Sequence, residues 1–361
     1  MKKQLIALAV AGAMAAPMIA QADATVYGSF RMGVAQTDNN GSGDTDGDLD
    51  VVDTSSRIGV KGTVDLGLEG TEGFFKAEWQ AIGTDDPDQT DGLRVRLMQT
   101  GARGDWGQVT IGKQWMPHYL WISAPTNVFH PGDGSFGERF NLGNTGEGKS
   151  GHFLKRTEGS LAYHSPVMNG LQLVAAVVLL GDNDDDNGVA DDSVDAYNLA
   201  VRYAANGFTA ALSYGEMEVG SSSSSTVVSS TGVGTPVSSV TTTTFADNEV
   251  ENLGLNLKYK ANALEVMVKY EEEETTVDGA VTKDEEVIEL AVRYTVNGTA
   301  VYARVSDYED KKVAGAAGDL EQWGVGVSKK LGKGIVYLEH VNNDSDDTAG
   351  DRTLAGYRLD F

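Results

Sequence analysis

Apolar and polar residues alternate in short runs through most of the chain. Over residues 25–34, Val26, Gly28, Phe30, Met32 and Val34 fall on one side, and Tyr27, Ser29 and Arg31 on the other. Period two with a single apolar face predicts a β-strand. The same rhythm sets Ile58 and Val60 against Arg57 and Lys61, then Phe75, Ala77 and Trp79 against Lys76, Glu78 and Gln80. Val95 and Leu97 next oppose Arg94 and Arg96. After a long interruption the pattern returns more cleanly. Tyr197, Leu199, Val201 and Tyr203 lead it, followed by runs around Leu212, Leu255, Val268, Leu290, Val301 and Val325. Residues 335–341 repeat the composition, but the pattern assigns them no faces. About sixteen strands are predicted, an even number as in closed bacterial barrels.

The connections alternate in kind. Those at 67–70, 104–107, 166–170, 205–207, 260–263, 297–298 and 331–334 are short. Those at 38–53, 85–91, 182–195, 273–285, 307–319 and 342–351 are longer and acidic, and 221–244 is a Ser/Thr run expected as a flexible loop. Short turns at one end and long loops at the other are barrel anatomy. Tyr163, Tyr203, Tyr259, Tyr294 and Phe361 end strands that run toward the short-turn side, which predicts an interfacial girdle. In hydrocarbon every backbone N–H and C=O must be paired, so a spanning sheet must close on itself. The fold class implied is all-β: a sixteen-stranded antiparallel transmembrane β-barrel, apolar outside and polar inside.

One stretch breaks the rhythm. Residues 115–155 hold Met-Pro-His, Ala-Pro-Thr and His-Pro-Gly-Asp-Gly, with Tyr119, Trp121, Phe129, Phe136 and Phe140 among them. Long loops without regular structure are functional or disordered. The aromatics need a surface to pack on, which predicts a loop folded into the lumen, narrowing a water-filled channel.

Composition adds a compartment and a charge. Lys2 and Lys3, an apolar stretch and Ala20-Gln21-Ala22 form a secretory signal. Residues 1–22 are therefore expected to be cleaved, leaving a barrel domain over 23–361. The longest later apolar run, 171–180, is about half of the ~20 residues a spanning helix needs. There is no Cys, so thiol chemistry and disulfides are excluded. The formal charge of −25 becomes −27 once Lys2 and Lys3 leave with the signal. Such acidity excludes nucleic acid as a partner. It suits either an outer surface held among divalent cations or a high-salt habitat, and predicts mild cation selectivity.

Thr353, Ala355, Tyr357, Leu359 and Phe361 form an alternating last strand ending in Phe, which resembles the assembly signal of Gram-negative outer-membrane proteins. With TVYGSFRMG near residue 25, SSRIGVKGTVDLG, WGQVTIGKQ before the long loop and SLAYHSPVMNGL after it, the whole mature chain resembles the general bacterial porins. That resemblance implies a homotrimer in the outer membrane, among lipid and lipopolysaccharide, passing ions and small hydrophilic solutes. It also implies an inward-folded third extracellular loop facing basic residues on the wall. By position the wall residues are Arg57, Lys61, Arg94, Arg96, Lys113 and Arg156, and the loop residues are Asp133 and Glu138, with Glu147 a further acid. Strict alternation turns Lys113 outward with Val109 and Ile111; a bulge at Gly112 would re-aim it.

Other motifs carry no chemistry. Residues 182–188 are acidic like a calcium loop but lack the glycine in register and the closing Glu. No cofactor is expected beyond Ca²⁺ or Mg²⁺ held loosely by acidic extracellular loops. The five histidines form no H-x-x-x-H pair, and no nucleophile elbow or P-loop occurs. An outer-membrane hydrolase would need a Ser/His/Asp set on neighbouring strands, and none is visible. A sugar-specific porin is the nearer alternative, and would carry an aromatic slide along the lumen.

Overall fold

The computed structural model describes residues 23–37, 49–81, 93–130, 154–179, 194–229, 238–313, 319–344 and 351–361. These contain eighteen strands: β1 (Asp23–Thr37), β2 (Leu49–Asp53), β3 (Arg57–Leu68), β4 (Thr71–Ala81), β5 (Leu93–Gly104), β6 (Gly107–Trp115), β7 (Arg156–Thr157), β8 (Ser160–His164) and β9 (Leu171–Val178), then β10 (Ala196–Ala205), β11 (Phe208–Ser229), β12 (Ser238–Ala261), β13 (Leu264–Val277), β14 (Ala280–Val296), β15 (Thr299–Asp310), β16 (Asp319–Leu331), β17 (Gly334–Asp344) and β18 (Arg352–Asp360). All belong to one antiparallel sheet that closes where β1 pairs with β18. β2 and β3 lie end to end along β1, and β7 and β8 along β6. Eighteen segments less these two joins make the sixteen staves of a barrel.

Patterning is reversed from that of a water-soluble protein. On the outer face Leu199, Tyr259 and Val301 are 51%, 52% and 57% exposed, while inward Asn198, Asn256 and Arg304 are 0%, 1% and 3% exposed. An apolar exterior on a sheet that closes on itself is what a hydrocarbon surround demands. Tyr163, Tyr203, Tyr259, Tyr294 and Phe361 are all exposed beside short turns. The Tyr163 hydroxyl donates to the Trp106 carbonyl at 2.8 Å.

The seam closes at Phe361, whose N–H and carbonyl exchange hydrogen bonds with Gly28, each 3.1 Å. A Cβ at Gly28 would lie 2.5 Å from Phe361 Cζ, so the ring seats where Gly28 has no side chain.

The described residues of two expected loops are paired strand instead, as are residues 49–53 of a third, which form β2. The Ser/Thr run continues the β11–β12 ribbon in unbroken register to Ser229↔Ser238. Residues 273–285 extend β13 and β14 to a tight turn at Asp278 and Gly279, with φ of 51° and 77°. Both turn residues at positive φ match the twist of a two-residue hairpin. Thr supports pairing where composition alone suggested flexibility.

Candidate functional site

After Trp115 the chain leaves the sheet. It makes a short helical stretch, Tyr119–Ser123, then one 3-10 turn, Ala124–Thr126. This first part of the long loop lies against the inward face of β10 to β17. The His118 N–H donates to Asn198 Oδ1 at 3.0 Å, and Asn256 Nδ2 donates to the Ile122 carbonyl at 3.0 Å. His118 Nε2 and Ser123 Oγ meet Glu271 Oε1 at 2.9 and 2.6 Å. Thr126 Oγ1 donates to Glu289 Oε2 at 2.6 Å. Farther along, the His130 N–H and Nδ1 contact Glu339 Oε1 at 3.0 and 2.9 Å, and that oxygen also accepts from Tyr302 at 2.6 Å. The His130 ring stacks on Tyr337 at 4.7 Å.

Two of these carboxylates, Glu271 and Glu289, pair with cations on the wall itself. Fully buried Lys269 sits 2.9 Å from Glu271 Oε2 and 3.3 Å from Glu289 Oε2, and Arg304 lies 3.9 Å from Glu289 Oε1. A buried charge is tolerated only when paired and hydrogen-bonded. The loop completes that shell with Ser123, Thr126 and His118. Two glycines make room for it. A Cβ at Gly254 would stand 2.6 Å from His118 Cε1 and 2.7 Å from Ile122 Cγ2, and one at Gly324 would stand 2.6 Å from Phe129 Cζ.

The opposite wall, on β1, β3 to β5 and β18, is basic. Arg96 donates from Nε to Glu78 Oε1 at 2.9 Å and from Nη1 to Ser55 Oγ at 3.0 Å and Gln80 Oε1 at 3.4 Å. Arg57 reaches the same Glu78 oxygen at 3.8 Å, and the Tyr27 hydroxyl donates to its other oxygen at 3.0 Å. Lys61 and Lys76 stand over the Tyr27 ring at 5.3 and 5.6 Å. Arg31 and Arg358 are directly opposed across the seam.

Backbone irregularities shape this wall. Two residues of β1, Phe30 and Arg31, face three, Thr54, Ser55 and Ser56, between β2 and β3. In β5 the register jumps from Val95 to Leu97 against Trp79 and Glu78, making Arg96 the extra residue. Bulges of this kind re-aim side chains. Leu97, expected on the outer face by alternation, is fully buried for that reason.

The residues carried over from the sequence therefore separate. Arg57 and Arg96 meet at Glu78. Lys61 lies over Tyr27, and Arg94 pairs in register with Gln80 on the same wall. Arg156 stands over the Trp115 ring at 4.9 Å, with Arg96 at 6.0 Å from it, where the loop departs. Lys113 does not join them. Gly112 has φ 106°, yet the register is unshifted and keeps Lys113 opposite Met98, which is exposed. Its ammonium lies 3.9 Å from Glu158. Asp133, Glu138 and Glu147 lie outside the described residues, as does 182–188. Glu78, Arg31 and Arg358 were missed, although each sits on the polar side of an alternating run.

The fold and this lumen define a membrane channel. The family model for the Gram-negative porin matches residues 7–349. The chain belongs to the Gram-negative porin family. It is a multi-pass outer-membrane barrel for passive diffusion, a channel rather than an enzyme. It is 27% identical over 296 residues to a monosaccharide porin of a Halomonas species, covering 77% of this chain and 72% of that one. Among solved structures it resembles an anion-selective porin from Comamonas acidovorans, with TM-score 0.71 and 18% identity over 94% of this chain and 100% of that one. It also resembles the OmpT outer membrane protein of Vibrio cholerae in its trimer form, with TM-score 0.63 and 18% identity over 94% of this chain and 99% of that one.

Proposed function

We propose that this protein is a general diffusion porin, passing ions and small hydrophilic solutes with a mild preference for cations. One arrangement supports the reading above others: a loop segment seated on a carboxylate-rich wall, across from a wall of arginines. Opposed charges set a transverse field that orders water and dipolar solutes, and charged linings bias ion passage. Arg57, Lys61, Arg94, Arg96 and Arg156 supply its basic side, and Asp133 and Glu138 are assigned to its acidic side. Lys113 is the weakest member of that set, because its register and its Glu158 contact place it apart. Reversal potentials across planar bilayers in a salt gradient test the selectivity; a clear anion preference would refute it.

A substrate-specific sugar porin is the second reading. The relative described as a monosaccharide porin favours it, as does the stacked Trp115–Tyr119 pair, 4.4 Å between ring centroids. Liposome swelling with sugars of graded size separates the two. Non-saturating, size-limited flux supports the general porin, whereas saturation by one sugar supports the rival.

The assembly is proposed to be a homotrimer in contact with lipopolysaccharide, its mature chain beginning at Asp23. Conductance steps in threes test the trimer, and N-terminal sequencing tests the cleavage. Calcium or magnesium is proposed to be held loosely at the acidic long-loop rim. There Glu216 opposes Glu251, Glu272 opposes Glu286, and the carboxylates of Glu216, Glu249 and Glu251 offer oxygens within 4.8 Å of one another. Like charges directly opposite are destabilising without a counter-ion. Lys311 serves some of them, and its hydrogen bond to Asp284, ahead of that to Glu286, holds its pKa above the ordinary lysine value. Chelation should lower the temperature at which the assembly dissociates in detergent.

A further inference from the structure

We propose that Ser55 is a positioning residue that tunes the channel's charge selectivity by pinning Arg96 to the wall. The inference rests on the porin reading above, in which Arg96 borders the water-filled lumen.

Ser55 sits on the strand break between β2 and β3, at φ 77°. That conformation is disfavoured for a residue with a Cβ, and the surroundings must hold it in place. They do so through its neighbours. The Ser56 N–H donates to Asp53 Oδ1 at 2.7 Å, and the Arg31 N–H donates to Ser56 Oγ at 2.9 Å. The Thr54 N–H donates to the Arg31 carbonyl at 2.9 Å, and the Ala81 N–H donates to the Ser56 carbonyl at 2.8 Å. Thr54, Ser55 and Ser56 are all buried. The extra residue that makes this break and the extra residue that makes the bulge in β5 are then in contact, Arg96 Nη1 donating to Ser55 Oγ at 3.0 Å. Two separate insertions in the sheet thus converge on a single hydrogen bond.

Its consequence is where the guanidinium charge resides. Arg96 is 6% exposed, fixed by Glu78 at one edge and by Ser55 and Gln80 at another. Arg94, two residues earlier on the same wall, is exposed. The hydroxyl of Ser55 therefore holds one of two neighbouring positive charges back from the water path. Removing it frees Nη1 to swing toward the lumen and presents more positive charge to permeating ions.

The test is reversal potential in a KCl gradient for the full-length protein, on Ser55→Ala, Ser55→Gly, Ser55→Asn and Arg96→Gln. Ser55→Ala and Ser55→Gly should raise the anion-to-cation permeability ratio by about twofold, and Arg96→Gln should lower it by about as much. Glycine accepts the positive φ without penalty, which keeps the test alive if the alanine variant folds poorly. Asparagine tolerates this φ and offers an amide oxygen to Arg96, so it should restore most of the original ratio. A merely structural Ser55 would change thermal stability and leave the ratio alone. That result, with Arg96→Gln still shifting the ratio, overturns the proposal and spares the pore reading. If Arg96→Gln also shifts nothing, the placement of Arg96 at the pore fails first. A shift of Ser55→Ala in the same direction as Arg96→Gln likewise overturns the proposal, since it would mean that release carries the charge away from the lumen.

Discussion

The two walls of the lumen are built from the same alternating strands and end up chemically unlike. On the wall under the loop, inward positions mix buried ions with apolar groups: Lys269, Glu271 and Glu289 beside Met267, Ala291, Tyr302, Tyr337 and Val341. On the facing wall, Lys61 and Arg94 reach water and Arg57 and Arg96 share Glu78. What covers a wall decides what it can carry. Under the loop, each charge needs a partner within the protein and the gaps between charges fill with hydrocarbon. Opposite, water does part of the solvating of Lys61 and Arg94.

This contrast can be broken from the covered side. Lys269→Met leaves Glu271 and Glu289 buried without their shared cation, which should cost about 3–5 kcal/mol. Thermal unfolding in detergent checks it; an unchanged midpoint would mean the loop's seat is wet. Tyr302→Phe removes a buried hydroxyl that donates to Glu339, a loss of about 1.5–3 kcal/mol by the same measurement. Gly254→Ala should cost about 1–2 kcal/mol and lower single-channel conductance, because its methyl pushes His118 and Ile122 toward the lumen. A rise in conductance would place the loop elsewhere. Lys113→Gln is the control on the other side. Its contact with exposed Glu158 is worth about 0–1 kcal/mol, and reversal potential should not move.

The same contrast explains what the sequence could reveal. Strands, facing, closure and the girdle were readable because lipid on one side and water on the other force period two. Residues 335–341 resisted assignment because Tyr337 and Val341 face inward under the loop while Val336 and Leu338 face lipid, making both sides apolar. Arg57 could be found from alternation. Arg96 was found too, but the bulge that aims it and buries Leu97 leaves no mark on a hydrophobicity pattern. Glu78 was visible as an inward carboxylate, and its part in joining two arginines required knowing which strands are neighbours. The Ser/Thr run was misjudged because composition stood in for pairing, which depends on the partner strand.

Alternation along each strand has a consequence for the chain before it is a barrel. Polar positions interrupt most strands, and the longest apolar run after the N-terminal stretch, 171–180, is about half of the ~20 residues a spanning helix needs. The strands are therefore not greasy enough to be arrested in the inner membrane during export. The unfolded polypeptide can travel through an aqueous compartment as an ordinary hydrophilic chain. Its affinity for lipid appears only when pairing sorts the two faces, so membrane insertion and folding become one event.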